Sequence, residues 1–382
     1  MKKWSIVLAV LLFVGMLPIN VSAATNLQVK AKSAVLMDVE TGTVLYQQNA
    51  HEALHPASVT KIMTMLLIME AIDSGRIGWQ DMVTASEAAA AKGGSQVYLK
   101  VGEQMTVSDM LKSIAVSSAN DCACAMAEHL YGSESAFVDK MNARAAELGM
   151  KDTHFVNSTG LDDAVEAEGH KTSAYDIALM SRELMKNHPD IKNYTTIWMD
   201  TIRGGTFGLS NTNKMVRFYN GCTGLKTGFT AKAGYCLSST AERDGMELIA
   251  VVMGAESSQD RFAACKQLLD YGFSNYAIVR PEVPNAVVPV RLGKEKEVRA
   301  VASQESALLI DKSQKAMVRT EIELMDMVDA PVGKGQRLGV LTLKAGEQVL
   351  TQIPMIAEKG VARLSWGEIF WQILQAMAFK TE

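Results

Sequence analysis

An α+β fold, an antiparallel sheet packed with a helical block, is predicted by three features of the chain. Strand-like patterning stands at both ends of the stretch before residue 280, long Ala/Met/Leu-rich segments lie between, and a proline-marked change to alternating residues follows. Ser33 to Tyr46 reads as a hairpin around Glu40-Thr41-Gly42-Thr43, and Gly221 to Gly254 as a meander turning at Glu242-Arg243-Asp244-Gly245. Residues from about 58 to 200 carry mostly helical periodicity. Strands from the two ends should therefore close one sheet, with the helices packed against it.

Pro281, Pro284 and Pro289 break this pattern, and a boundary is placed near Pro281. Beyond it, Val287-Val288-Pro289-Val290, Glu297-Val298-Arg299-Ala300-Val301 and Gly339-Val340-Leu341-Thr342-Leu343 alternate apolar and polar positions, as expected of a small β-sandwich. The expected organisation is a leader over 1–23, a catalytic domain over 24–280, a β-rich domain over 281–363 and an amphipathic helix over 364–382.

The leader rests on Met1-Lys2-Lys3, an apolar run from about Ile6 to Leu17, and the small-x-small site Val21-Ser22-Ala23. Pro18 and Asn20 end the run before it could span a bilayer comfortably. The mature chain is thus expected outside the cytoplasm. A net charge of −4 with no concentrated basic stretch argues against nucleic acid as a partner. Five cysteines, Cys122, Cys124, Cys222, Cys236 and Cys265, are an odd number and too scattered for a disulfide scaffold. Cys122 and Cys124 lie in an Ala-rich helical segment without the electropositive setting that a reactive thiolate needs.

Chemistry concentrates in three islands, Ser58-Val59-Thr60-Lys61, Ser118-Ala119-Asn120 and Lys226-Thr227-Gly228. Helical spacing puts Ser58 and Lys61 one turn apart on one face, within reach of each other. Pro56 and the apolar run after Ser58 mark a helix start, so the hydroxyl lies near free backbone N–H groups at the positive end of the dipole. The run from Val59 onward is apolar on nearly every side. Burial then disfavours a charged Lys61, and a neutral amine can take the Ser58 proton. Taken alone, the same residues read as a capping serine with a snorkelling lysine. Ser118 and Asn120, two apart in a loop, can point into one cleft. On a strand beside that cleft Lys226 presents a cation, Thr227 a donor for a carboxylate and Gly228 room for close backbone approach.

Pro56-Ala57-Ser58-Val59-Thr60-Lys61-Ile62-Met63-Thr64 and Lys226-Thr227-Gly228-Phe229-Thr230-Ala231-Lys232-Ala233-Gly234 resemble the low-molecular-mass penicillin-binding proteins that act as serine D-Ala-D-Ala carboxypeptidases, sporulation-type members included. Gly94-Ser95-Gln96-Val97-Tyr98-Leu99, Asn157-Ser158-Thr159-Gly160-Leu161-Asp162 and Ser173-Ala174-Tyr175-Asp176-Ile177-Ala178 are similar to further segments of that family. The resemblance runs from about residue 30 to 275 and is looser beyond. It implies the penicillin-binding/β-lactamase-like transpeptidase fold, with Ser58 as nucleophile and Lys61 as general base. It also implies an oxyanion hole from the N–H groups of Ser58 and Phe229. Ser118, linked to Lys226, would pass a proton to the leaving D-alanine, while Asn120 holds the peptide amide. Thr227 would bind the terminal carboxylate, with help from Arg261. No metal or organic cofactor is implied. The substrate would be the peptidoglycan stem peptide, and β-lactam antibiotics would be covalent inhibitors.

Three other readings share parts of the pattern. A β-lactamase has the same islands, but neither Glu166 nor Glu168 begins a Glu-x-x-x-Asn run. A non-catalytic penicillin-binding wall module would keep the fold and acylate without turnover. His51-Glu52-Ala53-Leu54-His55 matches a zinc-peptidase motif by letter, yet that motif needs a helix and Pro56 follows directly. At the C-terminus Trp366, Phe370, Ile373, Leu374 and Met377 fall on one helical stripe, which suits an in-plane anchor on a membrane surface. The expected location is the outer face of the cytoplasmic membrane, with peripheral attachment.

Overall fold

The computed structural model describes residues 27–162, 165–282, 285–304 and 307–378; the expected leader, 1–23, lies outside them. Strands β1 (Ser33–Asp38), β2 (Val44–Gln48), β3 (Cys222–Thr230), β4 (Gly234–Arg243) and β5 (Met246–Ala255) form an antiparallel sheet in the order β2-β1-β5-β4-β3. The two ends of the region meet where β1 pairs with β5, Val35 opposite Val251. The antiparallel sheet closed by distant segments is as the patterning predicts, and β3 stands at its edge.

All of β1 is buried because both faces of the sheet are covered. The period of two sorts its side chains between two cores. Val35, Met37, Ile249 and Val251 face the helical block, whereas Ala34, Leu36, Leu248 and Ala250 face the opposite core. The helical block contains α1 (Lys61–Asp73), α2 (Val107–Ser117), α3 (Asn120–Tyr131), α4 (Glu134–Glu147) and α5 (Ala174–Asn187). Helix α6 (Ser258–Asn275) covers the other face with Ala264, Cys265, Leu268 and Leu269. Helix α1 is apolar all round because it runs through the middle of the block, where Ile62 to Met69 are buried.

After α6, β6 (Tyr276–Val279) pairs with β9 (Leu308–Asp311), so one short ladder crosses the boundary expected near Pro281. Strands β7 (Ala286–Arg291), β8 (Glu297–Ala302), β10 (Val318–Leu324), β11 (Val328–Asp329), β12 (Arg337–Ala345) and β13 (Gln348–Ala357) form a six-stranded sheet in the order β10-β12-β13-β8-β7-β11. Val288 of β7, Val328 of β11 and Leu341 of β12 share one core, with Ile322 of β10 packed against it. Both ends of the strand order thus enclose the same apolar interior. Helix α7 (Trp366–Ala378) comes next, opened by a capping box in which Ser365 N–H donates to Glu368 Oε2 at 2.7 Å and Glu368 N–H donates to Ser365 Oγ at 3.4 Å. No helix among the described residues is long and apolar enough to cross a membrane.

Candidate active site

Ser58 lies in a tight 3₁₀ turn, Ala57–Thr60, immediately before α1. Lys61 is the first residue of α1 and is fully buried. Its Nζ is 2.9 Å from Ser58 Oγ and donates to Thr159 O at 2.8 Å. Burial, and next the neighbouring Lys226, hold this amine well below its ordinary pKa; Asp121 pulls weakly the other way. A neutral amine has one lone pair. With a hydrogen committed to the Thr159 carbonyl, that lone pair is free to face the serine hydroxyl.

The turn bearing Ser58 is braced from below. Val156 N–H donates to His170 Nδ1 at 3.1 Å, which places the imidazole proton on Nε2, facing Thr60 Oγ1 at 2.8 Å. Thr60 Oγ1 donates in turn to Ala57 O at 2.9 Å. Burial and then nearby cationic groups lower the His170 pKa to about 3, so the ring stays neutral. Gly160 approaches the same carbonyl from the other side: a Cβ there would fall 1.9 Å from Ala57 O, and its φ of +83° also favours glycine.

Ser118 caps the end of α2 in a left-handed conformation, φ +64°, and is buried. Asn120 opens α3; its N–H donates to Ser95 O and its Nδ2 to Gly93 O, both at 2.7 Å. Its Oδ1 is buried without a partner among the described residues, an acceptor with unused capacity. The adjacent Asp121 accepts from the backbone of Val97 and Leu99 and so fixes the loop over Asn120.

On edge strand β3, Lys226 is fully buried, and burial followed by the Arg261 charge lowers its pKa to about 7. Thr227 Oγ1 donates to Thr212 Oγ1 at 2.7 Å, while Thr212 N–H donates to Val116 O on α2. This relay ties the second island to the third. Gly228 ties the third to the first: a Cβ there would lie 2.6 Å from Pro56 O and 3.1 Å from the Ser58 nitrogen. Only a residue without a side chain lets β3 approach the Ser58 turn so closely. Phe229, next along the strand, is exposed and packs at a tilt on Tyr235, with ring centroids 4.2 Å apart.

Two expected contacts differ from what the fold contains. No hydrogen bond joins Ser118 to Lys226 among the described residues; the Lys226 amine donates instead to Thr227 O at 2.9 Å. A buried amine needs an acceptor, and its own strand supplies the one in reach. Arg261, on α6, donates through Nη1 to Gly228 O at 3.0 Å and to Cys236 O at 3.3 Å, bracing β3 against β4. It acts here on the strand carrying Thr227 and Gly228.

The zinc-peptidase motif does not form. Residues 51–55 are not helical, His51 is exposed and paired with Asp152 at 2.8 Å, and His55 is buried. Glu168 forms an ion pair with Lys232. All five cysteines are free thiols, and burial raises the pKa of Cys122 and Cys124.

Residues 20–257 match the family model described as D-alanyl-D-alanine carboxypeptidase of the S11 peptidases, and 281–363 match that of the penicillin-binding protein 5 C-terminal domain. The chain belongs to the S11 D-alanyl-D-alanine carboxypeptidase family. It is 46% identical over 341 residues to the D-alanyl-D-alanine carboxypeptidase DacF of Bacillus subtilis, covering 87% of this chain and 86% of that one. It is 32% identical to DacA of Escherichia coli over 361 residues, 91% of this chain and 87% of the relative. The structure of penicillin-binding protein 5 from Haemophilus influenzae superimposes with a TM-score of 0.74 at 29% identity, covering 89% and 99% of the two chains. Penicillin-binding protein D2 of Listeria monocytogenes, solved with ampicillin bound, matches 65% of this chain and all of its own, with a TM-score of 0.60 and 33% identity. The chain is thus a serine-type carboxypeptidase of the low-molecular-mass penicillin-binding proteins, and its homologues act outside the cytoplasm.

Residues that spacing does not reveal complete this S11 site: Thr159 through its carbonyl, His170 through Thr60, and Thr212 through Thr227. The Asn157-to-Gly160 turn is the sequence signal for the first, since Asn157 Oδ1 accepts from Gly160 N at 2.7 Å to shape the bend.

Proposed function

We propose that Ser58 attacks the carbonyl carbon of the peptide bond between the last two D-alanines of a peptidoglycan stem pentapeptide, with Lys61 as the base. The observation that carries this reading is the buried Lys61 amine, 2.9 Å from Ser58 Oγ and oriented by Thr159 O. As the Oγ–carbon bond forms, the hydroxyl proton moves to Lys61 Nζ. The N–H groups of Ser58 and Phe229 receive the developing oxyanion. Ser118 hands a proton to the departing D-alanine nitrogen, Asn120 Oδ1 holds the substrate amide, and Thr227, aligned by Thr212, meets the terminal carboxylate. Lys226 and Gly228 complete this wall, and Arg261 keeps its strand in place. Water then cleaves the Ser58 ester. A β-lactam, whose ring amide mimics the scissile bond, acylates the same oxygen.

The unit over 24–280 carries this chemistry and 281–363 serves as a β-rich stalk. The segment 364–382 lies in the plane of the membrane after removal of the leader, 1–23, and export. The anchor reading is supported by the exposure of Trp366, Phe370, Ile373 and Met377, from 52% for Ile373 to 87% for Trp366, on a helix that the β domain leaves uncovered. Deletion after Arg363 should release the protein from sedimenting lipid vesicles; continued sedimentation would refute the anchor. The catalytic reading is tested by incubating the purified protein with a D-Ala-D-Ala pentapeptide and with benzylpenicillin. Free D-alanine and a penicilloyl adduct mapped to Ser58 are expected. An adduct on another residue would overturn it.

A further inference from the structure

Glu134 touches both arms of the cleft without reaching the reaction itself. It is the first residue of α4, after the capping Ser133, and its side chain is 21% exposed. Its two oxygens serve different loops. Oε1 accepts from Ser158 Oγ at 2.6 Å and Ser158 N at 3.1 Å, while Oε2 accepts from Lys92 Nζ at 2.6 Å. Burial pushes its pKa up, but the hydrogen bonds from Lys92 and Ser158 outweigh that and leave it below the ordinary value.

Both contacts lead directly to the catalytic groups. One residue beyond Ser158, the Thr159 carbonyl receives the Lys61 amine at 2.8 Å, and Ser158 O itself accepts from Thr64 on α1 at 2.7 Å. One residue beyond Lys92, the Gly93 carbonyl receives Asn120 Nδ2 at 2.7 Å. Each carboxylate oxygen is therefore a single residue away from a carbonyl that orients a working side chain. An exposed ion pair would contribute little, but the Lys92 side chain is also mostly enclosed, at 25% exposure.

We infer that Glu134 is a positioning residue that aligns the Lys61 amine and the Asn120 amide together, one through each oxygen, with Lys92 as its partner on the Asn120 side. This rests on the peptidase reading of the same site. Its two arms predict separable defects. Loss of the Lys92 arm loosens substrate holding; loss of the Ser158 arm also loosens the base.

The test compares Lys92→Met, Glu134→Gln and Glu134→Ala in the full chain, with rates expressed per penicillin-titrated site and folding checked by near-UV circular dichroism. Lys92→Met should raise KM for a D-Ala-D-Ala tripeptide about tenfold and leave kcat within about twofold, the scale of one charge-assisted hydrogen bond. Glu134→Gln retains an acceptor for Ser158 but turns its NH₂ toward Lys92, so it should match Lys92→Met. Glu134→Ala should in addition lower kcat about tenfold. Unchanged KM in the first two variants, equal losses of kcat and KM from Lys92→Met, or a Glu134→Ala protein with only a lower Tm would each overturn the inference. If the unsubstituted protein releases no D-alanine, the peptidase reading fails by itself. The rate of Ser58 acylation by benzylpenicillin then reports the coupling: a fall of about tenfold in Glu134→Ala supports it, and an unchanged rate refutes it.

Discussion

Lys61 and Lys226 are both fully buried amines, yet Lys61 lies 2.9 Å from its serine, whereas Lys226 turns to the carbonyl of Thr227. The difference arises from how each pair is built. Ser58 and Lys61 sit one turn apart on a continuous segment, so backbone geometry alone brings them together. Ser118 and Lys226 come from a helix cap and an edge strand, connected through Val116, Thr212 and Thr227 among other tertiary contacts. Local geometry closes the first pair; the second is not hydrogen-bonded among the described residues. In the proposed reaction a proton passes to the leaving group only after Ser58 has attacked, so this pair need not be closed beforehand.

Substitutions should separate the two pairs. Ser58→Ala and Lys61→Ala are each expected to lower kcat/KM for D-alanine release by about a thousandfold or more, and the double variant to be no worse, because the two act as one unit. Covalent penicillin labelling, read by mass spectrometry, should disappear with Ser58→Ala. Ser118→Ala and Lys226→Ala should cost about 10- to 100-fold and slow penicillin acylation without abolishing it. If Lys226→Ala matched Lys61→Ala, the distinction between the hydrogen-bonded pair and the unbonded one would fail. Gly228→Ala tests the contact between the two regions: its Cβ would meet Pro56 O at 2.6 Å, pushing β3 off the Ser58 turn. Acylation should slow about tenfold, measured by stopped-flow with a chromogenic β-lactam.

The smallest effects concern protons. Lys226 titrates near 7 in the fold and at its ordinary 10.5 in the unfolded chain. Between these values the unfolded state binds the extra proton, so stability attributable to this group rises with pH from 7 to 10.5. Lys226→Met should therefore raise Tm by several degrees at pH 7 and by less at pH 10, in calorimetry at matched ionic strength. His170 follows the same sign in a lower window: buried neutral, with a value of about 3 against an ordinary 6.5, its contribution is complete above 6.5 and is lost as pH falls toward 3. His170→Gln should flatten the acid limb of the Tm profile across that window.

The same contrast explains what the chain discloses before folding. Ser58-to-Lys61 is legible because helical spacing is a local property, and the strands are legible because Ser33–Asp38 and Gly221 to Gly254 carry β patterning with recognisable turns. The oxygen that orients Lys61 is not: it is the backbone carbonyl of Thr159, and a carbonyl has no letter of its own. His170 gives no signal in sequence because, apart from His51 and His55, the histidines form no cluster there, and it acts through Thr60, 110 residues away, to Ala57. The family resemblance implies a Ser118 to Lys226 link, and burial of the Lys226 amine against its own strand gives a different partner. The β-rich C-terminal region is readable from alternation, but the ladder joining Tyr276–Val279 to Leu308–Asp311 across Pro281 is not, because pairing partners are a tertiary fact.

The protonation of Lys61 is the property on which the proposed chemistry turns, and it can be read directly. Side-chain ¹⁵Nζ NMR of the resting full-length protein, followed through a pH titration and assigned with Lys61→Arg, should show the ammonium losing its proton well below the ordinary lysine range. An ammonium signal at Lys61 that persists until about pH 10 would contradict a resting general base beside Ser58.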